Sequence, residues 1–400
     1  MLARLRKALY EVLFVHFWQD RSVREALFVF LLTRALIFFV LICVGQLSLR
    51  AYPDHQGYDA SIPFQRPQIA RKLREILWHG DVAHYIGISK AGYLNAPFDV
   101  TNARSQQFAF FPLHPILLWL LGHVTDDLLI WGSLLSNFLF FLALVFLHKL
   151  TLAFGYDEAV AGRAVFYLAA FPVSYFFSIP MTESLFVVLT VGSFYAAKRE
   201  RWWIAGVLGL LAATTRLTGV MLLPALLLLS WQMYRSLQIR KLLGLLLIPL
   251  GLFAYMFYSW WLSGDALAFS HAQVAWGRKP SMFLKPMVDW ATSPMMFAQP
   301  WNVQLLCVAS ALLCFYCIYV LIRRREWAFA LYTFVAIFLP LSSGVLQSLE
   351  RYTLGFFPMF IALGIAAKSE HSDQTIRFVF VFLLAIMTAL YAAGYTNALA

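Results

Sequence analysis

The ionisable residues set among long apolar runs are the ones whose types and spacing could do chemistry. Asp81, His84 and Tyr85 fall within DVAHYIGISKAGY, and His114 lies between Pro112 and Pro115 in FFPLHPILLWLLGHV. Glu183 begins an apolar run in PMTESLF, Arg216 occupies the small-residue turn TTRLTG, and Glu350, Arg351 and Tyr352 stand together in LERY. Carboxylates and imidazoles move protons, and guanidinium groups hold anions. Ionisable side chains this close to hydrocarbon are costly and as a rule face a cavity or one another. Gathered on one face, they form a candidate active site. Each also has a structural role open to it. Glu183 suits the positive end of a helix, Arg216 can reach lipid headgroups, and His114 can satisfy carbonyls freed by its flanking prolines. Arg351 can pair with Glu350, although neighbours on a helix point to different faces. Arg34, inside the first apolar run, is read as snorkelling toward the cytoplasmic end.

The elements that position these residues follow from composition. Of 400 residues, 61% are hydrophobic and 13% charged, against about 45–50% and about 25% in soluble domains. A single water-soluble core is excluded. The expectation is an all-α polytopic membrane fold, one integral domain over 1–400 with no separate soluble domain. About eleven runs approach the ~20 residues that cross ~30 Å of hydrocarbon: 26–48, 127–150, 158–179, 183–197, 202–215, 218–234, 241–262, 303–322, 327–341, 353–367 and 376–395. The first is too long for a secretory signal and is read as an uncleaved anchor. All four cysteines lie inside apolar runs, which supports neither disulfides nor paired zinc motifs. Cys314 and Cys317 read as core residues one helical turn apart.

Net charge of +11 reflects membrane orientation rather than nucleic acid, because Lys and Arg collect in short loops between apolar runs. If 110–124 does not cross, the N-terminal basic residues, Lys149, Arg163, Lys198 to Arg201, Arg235 to Lys241, Arg323 to Arg325, Lys368 and Arg377 share one side. That side is the cytoplasm, with the N-terminus in it. Residues 110–124 are therefore expected to form a half-buried, re-entrant helix. Together with the long outer loop from 49 they make a first extracytoplasmic region, 49–124. Its segment RPQIARKLREILWHGDVAHYIGISKAGY has basic and apolar faces at helical spacing and is expected to lie on the membrane surface. Long loops escape the charge rule, so its arginines do not contradict this orientation.

The motifs, taken in order, resemble a family. DVAHYIGISKAGY followed by FAFFPLHP, then PMTESLF, RWWIAGVLGLLAATTRLTGVMLLP and ERYTLGFFPMF resemble the signatures of the PIG-V-like mannosyltransferases over residues 78–360. One departure is Trp78, which His79 and Gly80 separate from Asp81. The resemblance implies the GT-C architecture, a polyprenyl- or dolichyl-phosphate mannose donor, and an active site in the first outer loop. By motif match it makes Asp81 the loop carboxylate, His84 its neighbour, Glu183 and Arg216 the paired outer-end residues and Arg351 the late arginine; Tyr85, His114 and Tyr352 join His84, Glu183, Arg216 and Arg351 as the residues expected around the donor. No D-x-D pair is present, so the sequence supports no metal and requires no cofactor beyond the lipid-phosphate sugar; a divalent metal is left open.

Attack of an acceptor hydroxyl on the anomeric carbon of such a donor needs one base, and Asp81 is the candidate. Charge growing on the leaving phosphate calls for a planar cation, which Arg216 or Arg351 can supply. One displacement inverts the anomeric centre. The acceptor, a glycan, lipid or protein, is not readable. The enzyme would work outside the plasma membrane in a prokaryote or in the endoplasmic reticulum of a eukaryote. A lipid or lipid-linked sugar transporter or flippase is the alternative, but it calls for charges midway along spans or symmetric broken helices.

Overall fold

A computed structural model describes residues 19–51, 73–78, 80–236, 238–292 and 303–394. Among them the regular structure is entirely helical. The main helices are α1 (Arg21–Ala51), α2 (Val82–Ala91), α3 (Leu113–Leu121), α4 (Leu128–Ala153), α5 (Glu158–Ala170), α6 (Glu183–Lys198) and α7 (Trp202–Ala213). After these come α8 (Leu222–Tyr234), α9 (Leu247–Ser263), α10 (Val303–Arg323), α11 (Trp327–Leu341), α12 (Leu349–Tyr352), α13 (Pro358–Ala366) and α14 (Glu370–Ala392).

Six helical segments among the described residues are long and apolar enough to cross a membrane, or seven if the pair of 349–355 and 358–366, bent by 86°, is one span. Of the eleven runs expected from length, the others form shorter or interrupted helices. The run 158–179 breaks where Pro172 removes a backbone donor and the chain passes into a short 3-10 turn, Ser174–Ser178. Burial separates the two kinds of helix. α5, α6 and α13 are buried almost throughout and pack against α4, α7 and α10, whereas the long helices leave large apolar side chains such as Phe28, Phe138 and Phe253 exposed. The long helices therefore present the surface suited to lipid, and the short central ones carry the polar groups.

Arg34 does not snorkel. It sits about 20 Å into α1 at 1.5 Å per residue and turns inward, 4% exposed. Its Nη1 donates to the Ser174 carbonyl and Ser178 Oγ, both at 3.0 Å, and its Nη2 to the Ala169 carbonyl at 3.1 Å and Ser174 Oγ at 3.0 Å. The break after α5 leaves carbonyls without helical donors, and Arg34 satisfies them; the Phe140 ring lies 4.8 Å from its guanidinium carbon.

Contacts between distant loops divide the bundle into two ends. One holds the basic turns: Lys149 pairs with Asp20, Lys241 with Glu200, Tyr156 donates to Glu326, and Gln232 to the Arg325 carbonyl. The opposite end gathers residues 73–78 and 80–124, the 214–219 turn, residues 264–284 and the 342–356 segment. α3 belongs wholly to that second end, since Leu113 N donates to the Thr214 carbonyl and Arg74 pairs with Asp127 just beyond the helix. Nine residues cover roughly 14 Å, half the hydrocarbon thickness. Its Trp119 and Leu120 are exposed while His114 and Leu118 are buried.

The helix expected across 66–93 is not continuous. Residues 66–72 lie outside the described residues, 73–77 are helical, and Gly80 at φ 68° turns the chain before α2 begins. α2 packs its buried face, including Tyr85 and Ile86, against α3.

Candidate active site

Asp81 stands at the position that normally caps a helix, yet its carboxylate accepts nothing from the first turn of α2. It accepts instead from Arg351 Nη1 at 2.6 Å. The turn at Gly80 frees the carboxylate to face across the bundle. Arg351 sits in α12, which begins after Ser348, a non-glycine residue held at φ 63°. That left-handed conformation is uncommon for a side-chain-bearing residue and fixes the direction from which LERY enters the site.

Arg351 serves two carboxylates with two edges of one guanidinium, because its Nε donates to Glu183 Oε1 at 2.5 Å. The same oxygen accepts from Arg216 Nη2 at 3.2 Å. Side-chain exposure falls from 23% at Asp81 and 15% at Arg216 to 4% at Arg351 and none at Glu183. Two cations and two carboxylates thus form a chain whose ends, Asp81 and Arg216, reach the cavity and whose middle, Arg351 and Glu183, lies deep inside the protein. Buried charges persist only when paired in this way. Glu183 opens α6, so the helix N-terminus adds to its stabilisation.

Arg216 reaches Glu183 because α7 ends there and the chain doubles back. Gly219 makes that turn possible: a Cβ on it would lie 2.3 Å from the Ala212 carbonyl carbon, inside contact distance. This gives the R-x-x-G spacing a steric reason.

Burial pushes the Asp81 carboxyl up, but the Arg351 charge and hydrogen bond, with His84 and Arg216 adding to them, outweigh it and hold the group below its usual value. Burial lowers His84 despite the nearby Asp81 charge. His84 does not hold the carboxylate. Its ring stacks on Phe110 at 4.5 Å and meets the edge of Trp276 at 6.1 Å.

A cavity of about 450 Å³ opens over this chain, and Asp81, Tyr85, Arg216, Arg351 and Tyr352 line it. Tyr85 is held by its hydroxyl 3.3 Å from Thr182 Oγ1, next to Glu183. Three expected site residues stand off the cavity wall: His84, Glu183 beneath Arg351, and His114, which is fully buried with its ring 5.1 Å from that of Tyr85. His114 and Glu183 are placed to support the residues that do line it. Among the described residues, no group of three or more His, Cys, Asp or Glu side chains comes together to hold a metal.

Further residues line the cavity from the second loop at this end, residues 264–284, among them Trp276, Arg278 and Lys279. No motif marked them. Their signal was a basic pair in GRKP within a long loop at the end opposite the basic turns.

Helices, burial and ion pairs define a multi-pass helical membrane protein with a carboxylate–guanidinium site under a cavity at one end of the bundle. The chain belongs to the family described as mannosyltransferase (PIG-V), whose profile matches residues 23–242, more than half of the sequence. It is 29% identical over 183 residues to GPI alpha-1,6-mannosyltransferase 2 of Rattus norvegicus and 30% identical over 186 residues to the Homo sapiens protein of the same name. Each alignment covers 42% of this chain and 35% of the relative, so the match spans about a third of their length. Two crystal structures of the Archaeoglobus fulgidus oligosaccharyltransferase are similar at 12% identity. The complex with Zn and sulfate gives a TM-score of 0.43, covering 80% of this chain and 49% of that one. The form tethered to an acceptor peptide gives 0.41, covering 89% and 55%.

Proposed function

We propose that this chain is a membrane mannosyltransferase of GT-C type that moves mannose from a polyprenyl- or dolichyl-phosphate donor to an extracytoplasmic acceptor, with Asp81 as base. One observation carries the reading: an ionised carboxylate faces the cavity, fixed from behind by an arginine that Glu183 itself fixes. The acceptor oxygen attacks the anomeric carbon. Its proton passes to Asp81 as the bond to the donor phosphate breaks, and the bonding pair leaves with the phosphate. The Arg351 contact weakens Asp81 as a base but keeps it ionised and aimed, and position is what a base requires first. Arg216, Tyr85 and Tyr352 contact the donor, while His84 and His114 hold the wall.

The relatives are named for an alpha-1,6 linkage. Carried over to this chain, an α product from a single inverting displacement requires a β-linked donor. The basic end of the bundle faces the cytoplasm, with the N-terminus, and the cavity faces out. The membrane is the plasma membrane in a prokaryote or the endoplasmic reticulum in a eukaryote.

Transfer from synthetic polyprenyl-phosphate mannose by the purified protein tests this. Asp81→Asn is nearly isosteric but a far poorer proton acceptor, and the expected loss is about 10²–10⁴-fold. Asp99→Asn is the control, because Asp99 accepts from Thr101 within its own exposed turn. Near-normal transfer by Asp81→Asn would remove the base assignment.

A further inference from the structure

The four inner charges of the site cancel one another: Arg351 and Arg216 are committed to Asp81 and Glu183. Arg278 and Lys279 are different. They line the same cavity from the second loop, and no carboxylate pairs with either among the described residues. Arg278 donates from Nη1 to the neutral Gln273 Oε1 at 2.8 Å, and its guanidinium carbon lies 5.1 Å from the centre of the Tyr352 ring. Arg216 lies 5.4 Å from the centre of that ring. The cavity therefore carries two positive charges that no carboxylate pairs with among the described residues.

These two cations are also positioned. Gly277 at φ 69° turns the chain immediately before them. Lys279 N donates to the Ser343 carbonyl and Ser281 N to the Ser342 carbonyl, both at 2.9 Å, so the loop is tied to the segment that leads into α12. At its other end Ser263 accepts from Phe98 N at 3.0 Å. The loop is held beside the cavity by backbone bonds, with the Arg278 guanidinium over the Tyr352 ring.

We infer that Arg278 and Lys279 form the clamp for the phosphate of the lipid donor, leaving Arg216 and Arg351 to hold the carboxylates. This rests on the lipid-phosphate donor proposed above. A planar guanidinium beside an ammonium, both without an internal anion, matches one phosphate group and offers it charge-assisted hydrogen bonds. An anion there completes the neutralisation that the protein leaves undone.

Binding of polyprenyl monophosphate tests the clamp independently of turnover. The full chain is placed in phosphatidylcholine nanodiscs and its affinity for polyprenyl monophosphate is compared with that for uncharged polyprenol, with phosphatidylglycerol as competitor. The wild-type protein is expected to prefer the phosphate by at least about tenfold, as charge-assisted contacts of this kind provide. Arg278→Gln with Lys279→Gln should abolish the preference. Arg278→Lys with Lys279→Arg, which keeps both charges, should retain most of it and reports that the loop still folds. A preference unchanged in the double glutamine variant overturns the clamp while leaving the donor reading intact. A wild-type protein that does not distinguish phosphate from alcohol overturns both. Displacement by phosphatidylglycerol as effective as by polyprenyl monophosphate makes the pair a bulk headgroup contact and also overturns the assignment.

Discussion

Replacing Glu183 with glutamine removes the anion that two arginines share without changing the shape of the side chain. Glu183 is fully enclosed and does not line the cavity, so any effect on transfer must pass through Arg351 and Arg216. Its Oε1 accepts at 2.5 Å from one and 3.2 Å from the other, and hydrogen bonds to charged groups contribute about 1.5–3 kcal/mol each. Removing one partner of a buried ion pair costs about 3–5 kcal/mol, because the remaining charge stays uncompensated. If about 3 kcal/mol of this appears as misplacement of the Arg351–Asp81 pair, transfer falls about a hundredfold. Initial rates at saturating donor and acceptor would register the loss in kcat. A double-mutant cycle with Asp81→Asn then separates positioning from general damage. Once Asp81 can no longer act as base, there is little left to misplace, so the double variant should lose far less than the product of the two single effects. Glu183→Gln within about threefold of wild type, or losses that multiply fully, would refute the reasoning.

Arg34→Lys cannot reproduce four hydrogen bonds from one planar group to the break after α5. It should lower thermal stability in detergent and reduce transfer, whereas a snorkelling residue would tolerate it; an unchanged melting temperature would contradict the inward role. The Asp81 carboxyl lies below its ordinary 3.8, so the ionised form persists at all higher pH and is lost only as pH falls through that depressed value. The kcat/KM profile should therefore show no acid limb from Asp81 above about pH 4, and one near pH 6.5 would mean that a different base acts. A cysteine at position 324, with the four native cysteines removed, should label only after the membrane is permeabilised. Labelling from outside intact cells would invert the orientation and put the cavity in the cytoplasm.

Membrane residence, helical class and family were legible in the sequence because each is written in local information: apolar run length, the sidedness of Lys and Arg, and ordered short motifs. The four charged residues that the fold brings together, Asp81, Glu183, Arg216 and Arg351, stood out as well, since a charge beside hydrocarbon is conspicuous wherever it stands. Their partners were not. Adjacent in sequence, Glu350 and Arg351 suggested a pair, but Glu350 accepts from Cys307 Sγ while Arg351 turns to Asp81 and Glu183, 270 and 168 residues away. Asp81 and His84 stand three residues apart, yet Asp81 precedes the helix and accepts from Arg351 while His84 stacks on Phe110. Arg34 read as snorkelling because nothing in α1 reveals the carbonyls left open where the chain breaks after α5. Arg278 and Lys279 belonged to no motif. An ionisable side chain announces by its type that it needs a partner, whereas the partner's identity is a property of three-dimensional proximity. That proximity is set by the Gly219 turn, the break at Pro172 and the entry of LERY after Ser348, and only the tertiary structure decides it.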